Sequence, residues 1–369
     1  MDERKVLIYA HDGVGLGHIS RMANLAILIN NGNTINHITF ISGYHSLNHF
    51  LPQEIDYIKL PYYDRIKAKQ ELEYQNQKQT IFNMRKCLLR ALFNNTSFDY
   101  IIIDTFIFGA KEELYEILMI LKQEYTQTKI ILTLRGVLFS KEKTIEFYKE
   151  KEGINFINNI FYKIVCFCDS RIIDINKEYF DNQIKIPISY LGYIYSQNKE
   201  IQYESENDVI VINFGGGYKS DDALIQTINT LKCIELRNMK VKIILGEYFQ
   251  STTIYQVQSE LKLHPSFEIL YNIPKKEIFK IPASLIIGCG GYNVTVDAIF
   301  NHIPLIVIPK TNTQEATIHT HRLENFSSIK ILPLEKIKEL PHFIYETLTQ
   351  KSEHELEIFK TSAVEYFFK

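Results

Sequence analysis

The segment that most restricts what this chain can fold into is Gly13-Val14-Gly15-Leu16-Gly17-His18-Ile19-Ser20-Arg21. It comes directly after the apolar run Val6-Leu7-Ile8-Tyr9-Ala10 and leads into residues 19–31. There Ile19, Met22, Ala23, Ala26 and Ile29 recur at helical spacing, and Gly32 stands as the stop. Strand, glycine loop and helix form the unit from which parallel α/β sheets are wound, and it brings backbone N–H groups up to a phosphate or a sugar edge. A histidine closing that loop faces the crevice above the strand ends. At a helix N-terminus the dipole favours the neutral imidazole, which can take a proton from a hydroxyl.

The unit recurs. Strands are predicted at residues 5–10, 37–42, 55–60, 100–104, 129–134, 163–168 and 188–192, with helices at 64–94, 111–124 and 142–159. Runs such as Ile101-Ile102-Ile103 and Ile130-Ile131-Leu132 are apolar throughout, as strands covered on both faces are. Polar residues gather at 193–207 and mark a linker. A second series then brings strands at 208–213, 240–245, 267–271, 284–288 and 305–308, helices at 220–237, 294–300 and 315–324, and a helical stretch from 334 to 368. A chain of 369 residues has room for two cores. The expectation is α/β: two Rossmann-like parallel-sheet domains, residues 1–194 and 195–350, facing each other across a cleft, with a closing helix at 351–369 that returns to the first domain.

The formal net charge of −2 argues against a general nucleic-acid binder. Five scattered cysteines read as reduced, buried thiols of a cytoplasmic protein, and none pairs into a zinc pattern. No signal peptide is expected, and no apolar run approaches the ~20 residues of a membrane span. The basic stretch with Arg65, Lys67, Lys69, Lys78, Arg85, Lys86 and Arg90 alongside Ile81, Phe82, Leu88, Leu89 and Phe93 has two readings. It is a solvated helix packed by its apolar side, or a peripheral contact with an anionic bilayer.

His18 is the candidate base. Asp104, at the end of the strand at 100–104, caps the next helix, orients His18 or binds a sugar hydroxyl. Arg135 ends another strand and is a candidate for a polar or anionic substrate, with Gly15, Gly17 and Arg21 in the loop itself. In the second half, Gly215-Gly216-Gly217 succeeds a strand and brings bare amides to a ligand, with Lys219 nearby and no Walker pattern. The stronger signal is Gly288-Cys289-Gly290-Gly291-Tyr292-Asn293-Val294-Thr295-Val296-Asp297. The helix N-terminus at Gly290, Gly291, Tyr292 and Asn293 suits a diphosphate, and Asp297, a turn deeper, suits ribose hydroxyls. Ile273 is placed with these nucleotide contacts. Gln314 and Glu315 sit in a polar loop that could read sugar hydroxyls. The G-x-G-x-G-H spacing, with no acid after the second strand, counts against a dinucleotide site.

Together these motifs resemble those of the GT-B glycosyltransferases of family 28, the MurG-like group. The closer likeness is to bacterial predicted glycosyltransferases with G-L-G-H-x-x-R and G-G-Y-N loops, here Gly15–Arg21 and Gly290–Asn293. The resemblance implies a nucleotide-diphosphate sugar donor, UDP-sugar favoured, held on the C-terminal domain, with Asp297 at the family's ribose position. It implies inverting hexosyl or N-acetylhexosaminyl transfer to an acceptor hydroxyl, without metal or cofactor. Two departures stand out: the family has Glu at the Asp297 position, and Ala316 comes after Gln314-Glu315 where a glutamine belongs. Rival readings are a nucleotide-sugar hydrolase, whose family also carries a G-x-G-H-x-x-R loop, a sugar epimerase, and an inactive sugar-nucleotide-binding partner of a larger complex. The acceptor, whether small molecule, glycan or lipid-linked, stays open.

Overall fold

Continuous apolar runs make the strands. The computed structural model describes the chain apart from residues 1–2, 13–16, 33, 35, 46, 48–49, 65–66, 139–140, 150–151, 196–208, 235–238, 274, 279, 310–318, 320 and 350–355. Among the described residues, β1 (Arg4–Tyr9), β2 (Asn36–Ser42), β3 (Asp56–Lys59), β4 (Tyr100–Asp104), β5 (Lys129–Leu134), β6 (Lys163–Cys166) and β7 (Ile188–Tyr190) form one parallel sheet in the order β3-β2-β1-β4-β5-β6-β7. A short parallel pair joins β8 (Tyr193–Ile194) to β15 (Ile358–Phe359). A further parallel sheet takes β9 (Val209–Asn213), β10 (Lys240–Leu245), β11 (Phe267–Tyr271), β12 (Leu285–Gly288), β13 (Leu305–Val307) and β14 (Ile329–Ile331) in the order β11-β10-β9-β12-β13-β14. The chain divides into two compact units, Met1–Ser196 with Glu357–Lys369, and Gln197–Leu356.

In each unit the strand order reverses beside the first strand: between β1 and β4, and between β9 and β12. The chain leaves those two strands in opposite directions, and the gap between their connections opens at the C-terminal edge of the sheet. The His18 segment comes after β1 and Asp104 ends β4, in register through Tyr9 opposite Ile103. Asn213 ends β9 opposite Gly288 at the end of β12. The central strand residues are sealed: Ile8, Ile102, Ile131, Ile210 and Leu285 are all 0% exposed. This is why these runs carry no polar alternation.

Several expected elements are broken. The helix expected at 64–94 is three helices, Lys67–Gln70, Leu72–Asn76 and Lys78–Asn95; the first break comes where Glu71 is extended at φ −123°, the second at Gln77. In place of a helix from 111, Lys111 and Glu112 adopt left-handed φ of 51° and 61°, and the helix starts at Tyr115. Glu152, also left-handed, divides Lys141–Lys149 from Gly153–Ile160. The closing helix is not continuous. After the helix Leu340–Thr349 the chain forms β15, then the short helix Val364–Phe368. Phe359 and Phe367 face Phe167 with ring centroids 6.3 Å apart, and burying those rings outweighs helical continuity. Tyr193 and Ile194, expected in the polar linker, are fully buried strand residues. Cys166, Cys168 and Cys289 are buried thiols, whereas Cys87 and Cys233 are exposed. No helix among the described residues is long and apolar enough to cross a membrane.

Arg85 is the largest departure. Its sequence position puts it among the basic side chains of a solvated or membrane-facing helix, yet it is 0% exposed. Its Nη1 and Nη2 donate to Asp12 at 2.5 and 3.1 Å, and its Nε and Nη2 donate to Glu113 at 2.7 Å each. Tyr9 Oη donates to Glu113 at 2.5 Å and accepts from the Ala110 N–H at 2.9 Å. Burial raises the Asp12 carboxyl, but the Arg85 charge outweighs it and holds Asp12 below the usual carboxylate range. At Glu113 burial prevails and the pKa rises. Removing Arg85 would leave two buried carboxylates without their shared cation. Arg85→Met should therefore cost about 3–5 kcal/mol at neutral pH in urea unfolding. The deficit should shrink at lower pH, where the orphaned carboxylates take up protons in the folded state. A loss that is small, or the same at both pH values, would contradict this account.

Candidate functional site

In the first unit the site is built from the ends of β1, β4 and β5. Gly17 opens the helix Gly17–Asn30, with open space where a Cβ would stand, and His18 is next to it. Asp104 ends β4 and is 0% exposed. Asp104 Oδ2 lies 2.6 Å from His18 Nδ1. A carboxylate only accepts, so Nδ1 carries the proton and Nε2 presents a lone pair.

Arg21, one helical turn after His18, donates from Nη2 to Asp104 Oδ1 at 2.5 Å and to Thr105 Oγ1 at 3.4 Å. Burial alone would raise the Asp104 pKa, but Arg21 and His18 outweigh it and hold the carboxylate well below its usual range. The Thr105 hydroxyl also donates to Asp104 Oδ1 at 3.0 Å. Thr105 is a β-branched residue at φ 56°, a strained conformation of the kind that collects at functional sites. The sequence offers Arg21 as a substrate contact; at 1% exposure it instead anchors Asp104 from within.

The His18 pKa is lowered. Burial is the chief cause, opposed by Asp104 and assisted by the charges of Arg21 and Arg135. The neutral imidazole expected from the helix dipole is thus held mainly by desolvation. Arg135, half-buried, donates from Nη2 to the Leu138 carbonyl at 3.2 Å. The arrangement is a neutral imidazole with its outer nitrogen basic and its inner nitrogen fixed by a buried carboxylate. Such a group can accept a proton and be stabilised as the cation.

Two neighbours of His18 escape a reading of the sequence. His11 is 3% exposed, with its ring edge-on to His18 at 5.5 Å, and the Phe106 ring lies 5.8 Å from His18. Both come just after strand ends, and that is the available signal. Gly15 lies outside the described residues, as do Gln314 and Glu315.

In the second unit glycines do the corresponding work. Gly215 N–H donates to Asn213 Oδ1 at 2.9 Å, turning the chain out of β9. Gly217 sits at φ 89°, where a Cβ would lie 2.3 Å from the Phe249 ring. Lys219 is exposed, at φ 55°. A Cβ on Gly288 would meet the Asn213 carbonyl oxygen at 2.4 Å, so the two strand ends pack backbone to backbone. Gly290 turns at φ 67°, and Gly291 caps the helix Tyr292–Phe300 without a side-chain cap or any acid in its first turn. The first intrahelical bond described there is Thr295 N–H to Gly291 O at 3.0 Å. The amides of Tyr292, Asn293 and Val294 precede it, at the positive end of the helix. Asp297 is 6% exposed, deeper in the same helix. Ile273 comes after β11 on the same edge of the sheet. His319, which no sequence motif marks, is buried and donates from Nδ1 to the Gly290 carbonyl at 3.0 Å, holding that turn.

No protein-family model matches the chain, and no curated protein does. Solved structures do match. The chain is similar to the glycosyltransferase of kitacinnamycin, over 95% of this chain and 92% of that one, at 10% identity and a TM-score of 0.64. It is similar to a UDP-glucosyltransferase from Polygonum tinctorium capable of glucosylating indoxyl, over 100% and 98%, at 12% identity and a TM-score of 0.62. It is also similar to Acinetobacter baumannii MurG, over 98% of both chains, at 11% identity and a TM-score of 0.56. At such identities the likeness is one of fold, and the fold is GT-B, with a parallel-sheet α/β unit in each half.

The pKa directions give a signed expectation. His18 titrates below its unfolded value, so its contribution to stability is present above the ordinary histidine pKa of ~6.5 and is lost as the pH falls. Asp104 is also depressed, and its contribution is lost in turn below the ordinary aspartate pKa of ~4. NMR titration of the His18 ring should give a midpoint below the ~6.5 of an unperturbed histidine. A midpoint above neutrality would rule out the neutral base.

Proposed function

We propose that this chain is an inverting, metal-independent glycosyltransferase moving a hexosyl or N-acetylhexosaminyl group from a nucleotide-diphosphate donor, UDP-sugar favoured, to an acceptor hydroxyl. The observation that carries the reading is the His18–Asp104 pair at the sheet's reversal point, in which Asp104 holds Nδ1 and leaves Nε2 as the basic nitrogen. The acceptor O–H gives its proton to His18 Nε2 while its oxygen attacks the anomeric carbon. The bond from that carbon to the diphosphate breaks, and the electron pair leaves with the diphosphate. Asp104, ionised throughout, stabilises the imidazolium that forms. The amides opening the helix Tyr292–Phe300 and its dipole meet the charge on the leaving group. Gly215, Gly216, Gly217, Lys219 and Ile273 contribute to the nucleotide site in this reading, and Asp297 faces the ribose. Support comes from the fold, since the solved structures similar to this chain are glycosyltransferases.

Water as acceptor would make the same machinery a nucleotide-sugar hydrolase. A cavity of about 380 Å3 next to the His18 site favours an acceptor larger than water. The protein acts in the cytoplasm in this reading, with any membrane contact peripheral.

A thermal-shift panel of UDP-, dTDP- and GDP-sugars tests the donor: the true one, at about 100 times its Kd, adds about 2.7 kcal/mol to the native state. Gly291→Asp should abolish that shift by placing a carboxylate where the diphosphate sits. His18→Ala should lower the transfer kcat by about 10²–10⁴ while leaving the donor shift intact. Nucleotide released at full rate with water alone would replace the transferase by the hydrolase. A panel without any shift would remove both.

A further inference from the structure

The lining of the cavity beside the His18 site bears on what kind of acceptor it takes. The cavity's volume is about 380 Å3, and it is lined by five aromatic side chains, Phe106 and Phe147 among them, and by the polar His11, Lys78, Lys111 and Glu112. It is one ring away from the proposed base. The His11 ring stands edge-on to His18 at 5.5 Å, and Phe106 lies 4.1 Å from His11 and 5.8 Å from His18. Phe106 and Phe147 meet edge to face at 5.4 Å, leaving ring faces and edges along one wall.

Small-molecule sites span roughly 300–1,000 Å3, and this cavity lies at the small end of that range. Aromatic walls favour flat rings, by offset or edge-on packing.

A second observation points to a ligand. A chain segment that lines the cavity is strained: after Gly109, Lys111 and Glu112 hold φ of 51° and 61°. Two successive left-handed non-glycine residues persist only where the surroundings over-determine them, and such strain collects at ligand sites. Here Tyr9 Oη accepts from Ala110 N–H inside the strained segment and donates to Glu113, which Arg85 grips. The buried ionic group is therefore the brace of one cavity wall.

We propose that this cavity binds the acceptor, and that the acceptor is a compact aromatic hydroxyl compound. Its ring packs against Phe106 and Phe147, its hydroxyl turns toward His18, and the strained 109–112 segment, braced by Tyr9, forms the opposite wall. The word acceptor rests on the glycosyl-transfer reading, but the binding asserted needs no donor. Tyr9 is a positioning residue in this account.

The chain has no tryptophan, so Phe147→Trp places a single reporter in the wall. 4-Nitrophenol absorbs where tryptophan emits and should quench the reporter saturably, with half-saturation at or below about 1 mM. 2-Naphthol should displace it, whereas farnesyl phosphate and N-acetylglucosamine should not. Tyr9→Phe in the same background should weaken binding several-fold. Calorimetric titration of the unsubstituted protein with 4-nitrophenol should give the same affinity, which guards against a reporter that fails to fold. Quenching that never saturates, no heat with the unsubstituted protein, or displacement by farnesyl phosphate at equal concentration would overturn the proposal. Saturable 4-nitrophenol binding without sugar transfer from any donor would keep the cavity assignment and remove the transferase. Sugar transfer with a silent reporter and no calorimetric heat would do the reverse.

Discussion

A fully buried carboxylate is the constraint around which the first unit is arranged. Asp104 is ionised inside the protein, and a buried charge is tolerated only when paired and hydrogen-bonded. Arg21 supplies the charge, Thr105 a hydroxyl hydrogen bond, and His18 an N–H. Each of these demands fixes something else. Arg21 must point inward from the first helix, which ties that helix to the end of β4. Thr105 must adopt a left-handed conformation to bring its hydroxyl round, and its amide is then held by the Thr133 carbonyl at 2.9 Å. His18 must take the tautomer that leaves Nε2 basic. The same contacts that make the buried charge tolerable thus prepare the imidazole.

The second unit is shaped at its reversal point mainly by glycines. Its strand ends approach so closely that Gly288 has no room for a Cβ, and the Phe249 ring leaves none at Gly217. The turn at Gly290 then delivers a helix whose first amides have no side-chain cap and no acid beside them. Backbone dipoles of this kind hold an anion without the desolvation cost of burying a lysine or arginine. His319 grips the Gly290 carbonyl, so the turn is held by a hydrogen bond as well as by glycine's freedom. The two units share a winding order and differ in what they place at the reversal point: a buried carboxylate held by Arg21 and His18 in one, the backbone amides of a helix N-terminus in the other.

The parallel sheets were legible because runs such as Ile101-Ile102-Ile103, apolar throughout, suit strands covered on both faces. His18, Asp104 and the Gly288–Asn293 segment were legible because each lies at or just beyond a strand end, where α/β sheets present their functional groups. The breaks in the helices were not. Glu71, Lys111 and Glu152 are ordinary helix formers by type, so their residue types do not mark the breaks. Arg85 reads as a surface cation because a basic residue on an amphipathic helix usually is one. Its partners, Asp12 and Glu113, lie 73 and 28 residues away and give no local sign. His11 and the cavity beside it were hidden for the same reason, since a wall assembled from the ends of several strands has no motif.

By itself the sequence determined the class of fold, the points at which glycine loops leave the sheets, and the residue types offered there. Those depend on periodicity and on glycine, which act over a few residues. The tertiary structure alone decided which of those residues meet. It turned Arg21 inward onto Asp104, joined Asp104 to a histidine 86 residues away, and wrapped two distant carboxylates around Arg85. The physical reason is that a charge removed from water must find its partner in space, and a folded sheet brings together strand ends that lie far apart along the chain.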